Sequence, residues 1–176
     1  VAAPRRRRHM DAEDDARWWA RLVPTCDVSR ECAHVDRAAL TRDDAGNLVT
    51  LANDAPLRGP EIKLRLKSCV LGRVVMNKEG TARAKSQPAD VALDVPSVSA
   101  KHAVITCEVK DAEASPPEFE MKVVDVSRNG LTLNGSKLTK DQYYALKDGD
   151  VLTLPFHLEY RFELNPEGVL PRATRV

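Results

Sequence analysis

Ile62, Leu64 and Leu66 alternate with Lys63, Arg65 and Lys67, a period of two that predicts a half-buried strand. The apolar run goes on through Cys69, Val70 and Leu71, so one strand is expected to reach Gly72 and Arg73. Further on, DVALDVPSVS predicts a short strand over 90–93, followed by a loop that carries Ser99. HAVITCEVK and EFEMKVVDV read as two more strands, joined by the loop DAEASPPE. LTL leads into Asn134-Gly135, a two-residue hairpin turn. KLTKDQYYALKDGD reads as a connector that ends in a tight Asp-Gly turn. DVLTLP and LEYRFEL have strong β character and close the set. Many short strands with turn signals between them predict an all-β, two-sheet β-sandwich.

The chain ahead of residue 61 is less regular. Residues 1–15 are charged and lack periodicity, with a basic run at 5–8 and an acidic cluster behind it, and read as a solvated tail. In ARWWARLVP, residues 16–24, Trp19, Arg21 and Val23 alternate against Ala20 and Leu22, which predicts a first strand ended by Pro24. A short amphipathic helix is the competing reading. Residues 25–60 read as a long insertion, with a short helix over 35–43 and an extended piece near 48–51. The domain proper is expected over 61–165 and a tail over 166–176.

Composition narrows the functional classes. The formal net charge is +1, which argues against broad electrostatic binding of nucleic acid. No apolar run approaches membrane-spanning length, and no signal-peptide pattern opens the chain. Cys26, Cys32, Cys69 and Cys107 lack paired CxxC spacing and read as reduced thiols of an intracellular protein. Cys26, Cys32 and His34 match no standard zinc finger and offer no obvious fourth ligand, so they read as an apolar plug under a loop, with no metal. No Gly-rich nucleotide loop, catalytic triad or HExxH motif is present. Neither an enzyme nor a cofactor is expected.

The chemistry sits at the strand ends. Arg73 offers a guanidinium fork suited to phosphate, Ser99 a hydroxyl donor, and Asn129 an amide that can face outward from the turn at Gly130. The order LGR, SVSAKHAVI, DVSRNGLTLNG resembles the forkhead-associated domain, a phosphothreonine-binding β-sandwich. That resemblance covers roughly residues 61–164, with 19–23 as a detached first strand. It implies a phosphopeptide site made by Arg73, Ser99, Lys101, Arg128 and Asn129. Gly72, His102, Gly130 and Asn134 would support it, Gly72 by permitting an unusual backbone angle and His102 by bracing the loop rather than by catalysis. It also implies a threonine-phosphorylated partner protein and a preference for phosphothreonine over phosphoserine.

DVPSVSAKHAV, the paired tyrosines of YYALKDGDVL and the tryptophan-bearing strand look most like the subgroup found in nuclear and RNA-processing proteins, such as the Smad-nuclear-interacting protein and kanadaptin. A nuclear location, within a larger complex, is expected on that likeness. Two departures bear on affinity. Ala100 stands where many members carry a polar or basic side chain, and Arg128 where a small polar residue is common. A phosphate-independent scaffold that uses the insertion or a sandwich face remains the alternative.

Overall fold

The computed structural model describes residues 18–37, 40–42, 48–50, 59–80, 87–115, 117–168 and 170–172. The basic run at 5–8, the acidic cluster behind it and residues 38–39, 43–47 and 51–58 of the insertion lie outside them. Among the described residues two six-stranded sheets pack face to face as a β-sandwich. The strands are β1 (Ala20–Pro24), β2 (His34–Asp36), β3 (Leu40–Arg42), β4 (Leu48–Thr50), β5 (Ile62–Leu64), β6 (Ser68–Arg73) and β7 (Val91–Leu93). After them come β8 (Ala103–Asp111), β9 (Glu118–Asp125), β10 (Thr132–Leu133), β11 (Ser136–Lys137), β12 (Tyr143–Ala145), β13 (Val151–Leu154) and β14 (Leu158–Leu164). One short helix, α1 (Asp27–Arg30), lies after β1. The first sheet runs β11-β10-β13-β14-β1-β5 and the second β12-β9-β8-β6-β7-β2, while β3 and β4 form a separate hairpin.

The alternation read in EIKLRLKSCVLGR holds locally, yet it belongs to two strands. Ile62 and Leu64 face the core from β5 in the first sheet, and Cys69 and Leu71 face it from β6 in the second. The chain crosses between sheets at 65–67. Arg65, expected on the solvent side, is therefore buried, where its guanidinium pairs with the buried carboxylate of Asp36. Asp36 is in β2 at the edge of the second sheet, so the pair ties that edge to the end of β5. Pairing offsets part of the cost of taking these two charges out of water.

The first strand forms as its pattern predicts, with one change of phase. Ala20 and Leu22 are buried and Arg21 and Val23 point outward, but Trp19 also turns inward. Trp19 lies just ahead of the regular strand, and its indole Nε1–H donates to the Leu66 carbonyl at 3.0 Å. Its ring meets Phe162 edge-on at 6.0 Å, an arrangement aromatic pairs favour. With Leu22, Ile62, Leu64, Leu71, Ile105, Tyr160 and Phe162 it forms a core shared by both sheets.

Three expectations fail. The helix over 35–43 is absent, because His34–Asp36 pairs antiparallel with β7 and residues 40–42 are extended as β3. The connector at 137–150 contains an extra strand, β12, paired with β9. The C-terminal stretch is not a free tail as far as Arg172, whose backbone accepts from Lys67 N–H at 2.7 Å and donates to the Arg65 carbonyl at 2.8 Å. The cysteines are all free. Cys32, Cys69 and Cys107 are buried, while Cys26 caps α1 through Ser29. Among the described residues no cluster of His, Cys, Asp or Glu converges as a metal site, and no helix is long and apolar enough to cross a membrane.

Candidate phosphopeptide site

β6 ends on Gly72-Arg73, where the loop that carries Ser99 comes into direct contact with the strand. A Cβ at Gly72 would lie 2.0 Å from the Ala100 carbonyl oxygen and 2.9 Å from the Ala89 Cβ. Gly72 is therefore required for close packing, and not for an unusual backbone angle as the sequence suggested; the left-handed glycines lie elsewhere, Gly130 among them at φ 93°. The approach brings the Arg73 N–H to the Ser99 carbonyl at 2.9 Å and the His102 N–H to the Leu71 carbonyl at 2.7 Å. Arg73 and Ser99 thus share one rim because two backbones are in contact, with no side chain between them.

His102 fastens this loop to the next. The ring is fully buried. Its Nδ1 accepts from the Ser99 N–H at 3.1 Å, so the proton sits on Nε2, which donates to the Gly130 carbonyl at 3.0 Å. The His102 carbonyl accepts from Val126 N–H at 3.0 Å. Burial holds the imidazole below its ordinary value of 6.5, only partly opposed by the Gly130 bond and the charge of Asp125. It is therefore neutral at neutral pH, as a bracing ring that accepts at Nδ1 must be.

The loop after β9 is folded on Asp125. Its carboxylate accepts from Ser127 N–H at 2.8 Å and Leu131 N–H at 3.0 Å, and the Ser127 hydroxyl accepts from Gly130 N–H at 2.8 Å. This leaves Arg128 and Asn129 exposed at the tip. The Arg128 N–H donates to Ser99 Oγ at 3.1 Å, and Asn129 Nδ2 donates to the Ser97 carbonyl at 2.8 Å. The outward amide expected at Asn129 is thus half engaged, stapling the two loops together. Asn134 lies away from this rim. It is left-handed at φ 49°, and its amide ties the hairpin turn to Asp150 and to Val151 N–H, both at 2.8 Å.

These loops enclose a concavity of about 550 Å³ lined by Arg73, Ser99, Lys101, Arg128, Asn129 and their neighbours. Lys140 also lines it, a residue that sequence reasoning missed. A family model for the FHA domain matches residues 69–155, the span that holds every one of these side chains.

The chain contains an FHA domain.

Among solved structures, the MEK1 FHA domain in complex with a phosphothreonine peptide of HOP1 is similar, at 22% identity and TM-score 0.47, over 76% of this chain and 96% of that one. The FHA domain of yeast Dun1, bound to a doubly phosphorylated peptide from Rad53, shows 20% identity and TM-score 0.43 over 80% and 78%. The N-terminal FHA domain of S. cerevisiae Rad53p with a phosphothreonine peptide shows 20% and 0.43 over 76% and 93%. No curated protein matches the chain.

Replacing His102 with alanine is expected to lower Tm by several degrees, since it strands the Ser99 N–H and the Gly130 carbonyl at a cost of about 1–3 kcal/mol. The pH dependence gives a second readout. A folded-state imidazole held below 6.5 lets the unfolded chain take up the proton first, so its stabilising contribution is full above about pH 6.5 and is lost as pH falls toward the lowered value. Melting curves from pH 7.5 to 5 should show that decline in the native chain and less of it in His102→Ala. Identical curves would mean that the ring braces nothing.

Proposed function

We propose that this FHA domain binds a phosphothreonine segment of a partner protein, with Arg73, Ser99, Lys101 and Arg128 on the phosphate and Asn129 on the peptide backbone. What supports this reading most directly is the convergence of Arg73, from the end of β6, with Ser99 and Asn129, from two separate loops, on one polar concavity. Their remaining hydrogen-bond capacity fits the ligand. Arg73 gives one Nη1 bond to the Pro96 carbonyl at 3.2 Å and keeps its other donors. Ser99 Oγ already accepts from Arg128 N–H, which leaves its own O–H to donate. Asn129 keeps its carbonyl oxygen and one N–H for an extended peptide. Phosphothreonine brings close to two negative charges and three acceptor oxygens. The loops that receive it are held by buried bonds of His102 and Asp125, so little ordering remains to be done on binding.

The family match does not separate subgroups, so a nuclear, RNA-processing setting rests on DVPSVSAKHAV, the paired tyrosines of YYALKDGDVL and the tryptophan-bearing strand. The binding reading is tested with a phosphothreonine peptide selected from a library and its unphosphorylated twin. The phosphorylated form should bind and the twin should not. Equal binding of both would favour a phosphate-independent scaffold. Affinity should rise several-fold from pH 5 to 7, because the phosphate's second pKa is near 6 and the dianion suits a cationic site better. Arginine and lysine side chains titrate far above that range. Melting curves taken alongside separate this rise from the stability change tied to His102. A flat affinity profile in folded protein would argue against recognition of the dianion.

A further inference from the structure

The concavity holds more positive charge than one phosphothreonine can neutralise. Arg73, Lys101, Arg128 and Lys140 line it, and no aspartate or glutamate does. Lys137 lies on its flank, lining the neighbouring recess with Asn129 and Gly130. Among the described residues none of these five side chains pairs with a carboxylate, while Arg21, Arg30, Lys122 and Arg161 elsewhere do. The chain has 26 acidic residues against 27 lysines and arginines, so local excess at this end is a matter of placement and not of composition.

Lys140 is the informative member. The backbone on both sides of it is fixed: Thr139 N–H donates to Tyr144 Oη at 3.0 Å, and Asp141 N–H donates to the Asp125 carbonyl at 2.8 Å. Asp125 is also the residue whose carboxylate folds the Arg128-Asn129 loop. One buried residue thus sets the position of Lys140 relative to the peptide-holding tip, while the lysine side chain stays exposed. A phosphothreonine dianion answers about two of the four charges in the concavity. The rest face one another around a single concavity, where like charges repel. A ligand that carries further negative charge beside its phosphothreonine relieves that repulsion.

We propose that the site selects phosphothreonine set in an anionic segment, with Lys140 reading the charge next to the phosphothreonine. This rests on the phosphothreonine reading above and narrows its ligand class. The neighbouring charge comes from aspartate and glutamate or from a second phosphorylated residue, and both present anionic oxygens to an ammonium group.

The test uses the full chain and four peptides of equal length: phosphothreonine with neutral flanks, phosphothreonine with aspartate and glutamate flanks, a doubly phosphorylated form, and the acidic sequence without phosphate. The native protein should bind the acidic-flanked phosphopeptide about three- to tenfold more tightly than the neutral-flanked one, the range expected from one or two partly screened charge pairs. Lys140→Ala should lose more affinity for the acidic-flanked peptide than for the neutral one, and Lys140→Glu should reverse the preference. The doubly phosphorylated peptide then shows which anionic source fits better. Binding of the neutral-flanked phosphopeptide with no gain from acidic flanks would overturn this inference and leave the phosphothreonine reading standing. Equal losses on both phosphopeptides in Lys140→Ala would overturn it too, by placing Lys140 on the phosphate itself. Tightest binding by the acidic, unphosphorylated peptide would overturn the phosphothreonine reading and the inference with it.

Discussion

Replacing Arg73 with alanine is expected to weaken phosphothreonine-peptide binding by at least about 100-fold and to leave the melting temperature nearly unchanged. Each charge-assisted hydrogen bond contributes about 1.5–3 kcal/mol, and a guanidinium fork makes two. Every 1.4 kcal/mol is tenfold in affinity. The fold has little to lose. Arg73 is exposed, and its side chain gives only one bond, to the Pro96 carbonyl on the surface. The contact that places Ser99 runs through the Arg73 backbone N–H, which alanine keeps. Arg73→Lys separates charge from shape: it keeps a cation but loses the paired geometry, so it should recover only part of the affinity. Titration of one phosphopeptide against the three proteins, with melting curves for each, decides the matter. Equal affinity for the native protein and Arg73→Ala would remove Arg73 from the phosphate site, and with it the reason for reading the concavity as one.

The sequence reveals some of this site and hides the rest, for different physical reasons. Arg73 ends a strand, and Ser99 and Asn129 stand in loops whose flanking strands and turn residues the pattern marks. Gly72 was legible as special but not for its cause. The atom it must avoid belongs to Ala100, in a loop remote along the chain, and nothing local encodes that approach. Lys140 was invisible for the same reason. It stands in a polar connector and reaches the site because its neighbour's N–H bonds to Asp125. Arg65 shows the limit of periodicity. Alternation gave its side correctly for a continuous strand, but the chain leaves one sheet for the other at that point, and a residue in such a crossing faces a partner from a remote strand, here Asp36. The misread helix at 35–43 has a related cause. Its local propensity is weak, and pairing of His34–Asp36 with β7 overrides it.

The first strand carries the largest expected effect on folding. A chain that begins at Ala55 retains every residue of the proposed phosphate site, yet it is expected to be unfolded or aggregated at room temperature. β1 is not at an edge. It lies between β14 and β5, with Ala20–Pro24 opposite Tyr160–Leu164 on one side and Ala20–Leu22 opposite Ile62–Leu64 on the other. Its removal splits the first sheet and exposes two unpaired strand edges, which are sites for aggregation. Trp19 is lost from against Phe162, and truncation of a core aromatic alone costs about 3–5 kcal/mol. Asp36 goes as well, leaving the Arg65 guanidinium buried without that carboxylate, a further cost of about 3–5 kcal/mol. Together these rival the roughly 5–15 kcal/mol that holds a typical domain. Trp19→Ala in the full chain should be milder, with a much lower Tm but phosphopeptide binding retained wherever the protein remains folded. Circular dichroism melting and peptide titration of the native chain, Trp19→Ala and the shortened chain separate the cases. If the shortened chain melts and binds like the native one, β1 is an appended segment and the domain begins near Glu61. If it is unfolded while Trp19→Ala still binds, β1 is part of the domain, and the loops that carry Arg73, Ser99 and Asn129 depend on a strand far ahead of them in the chain.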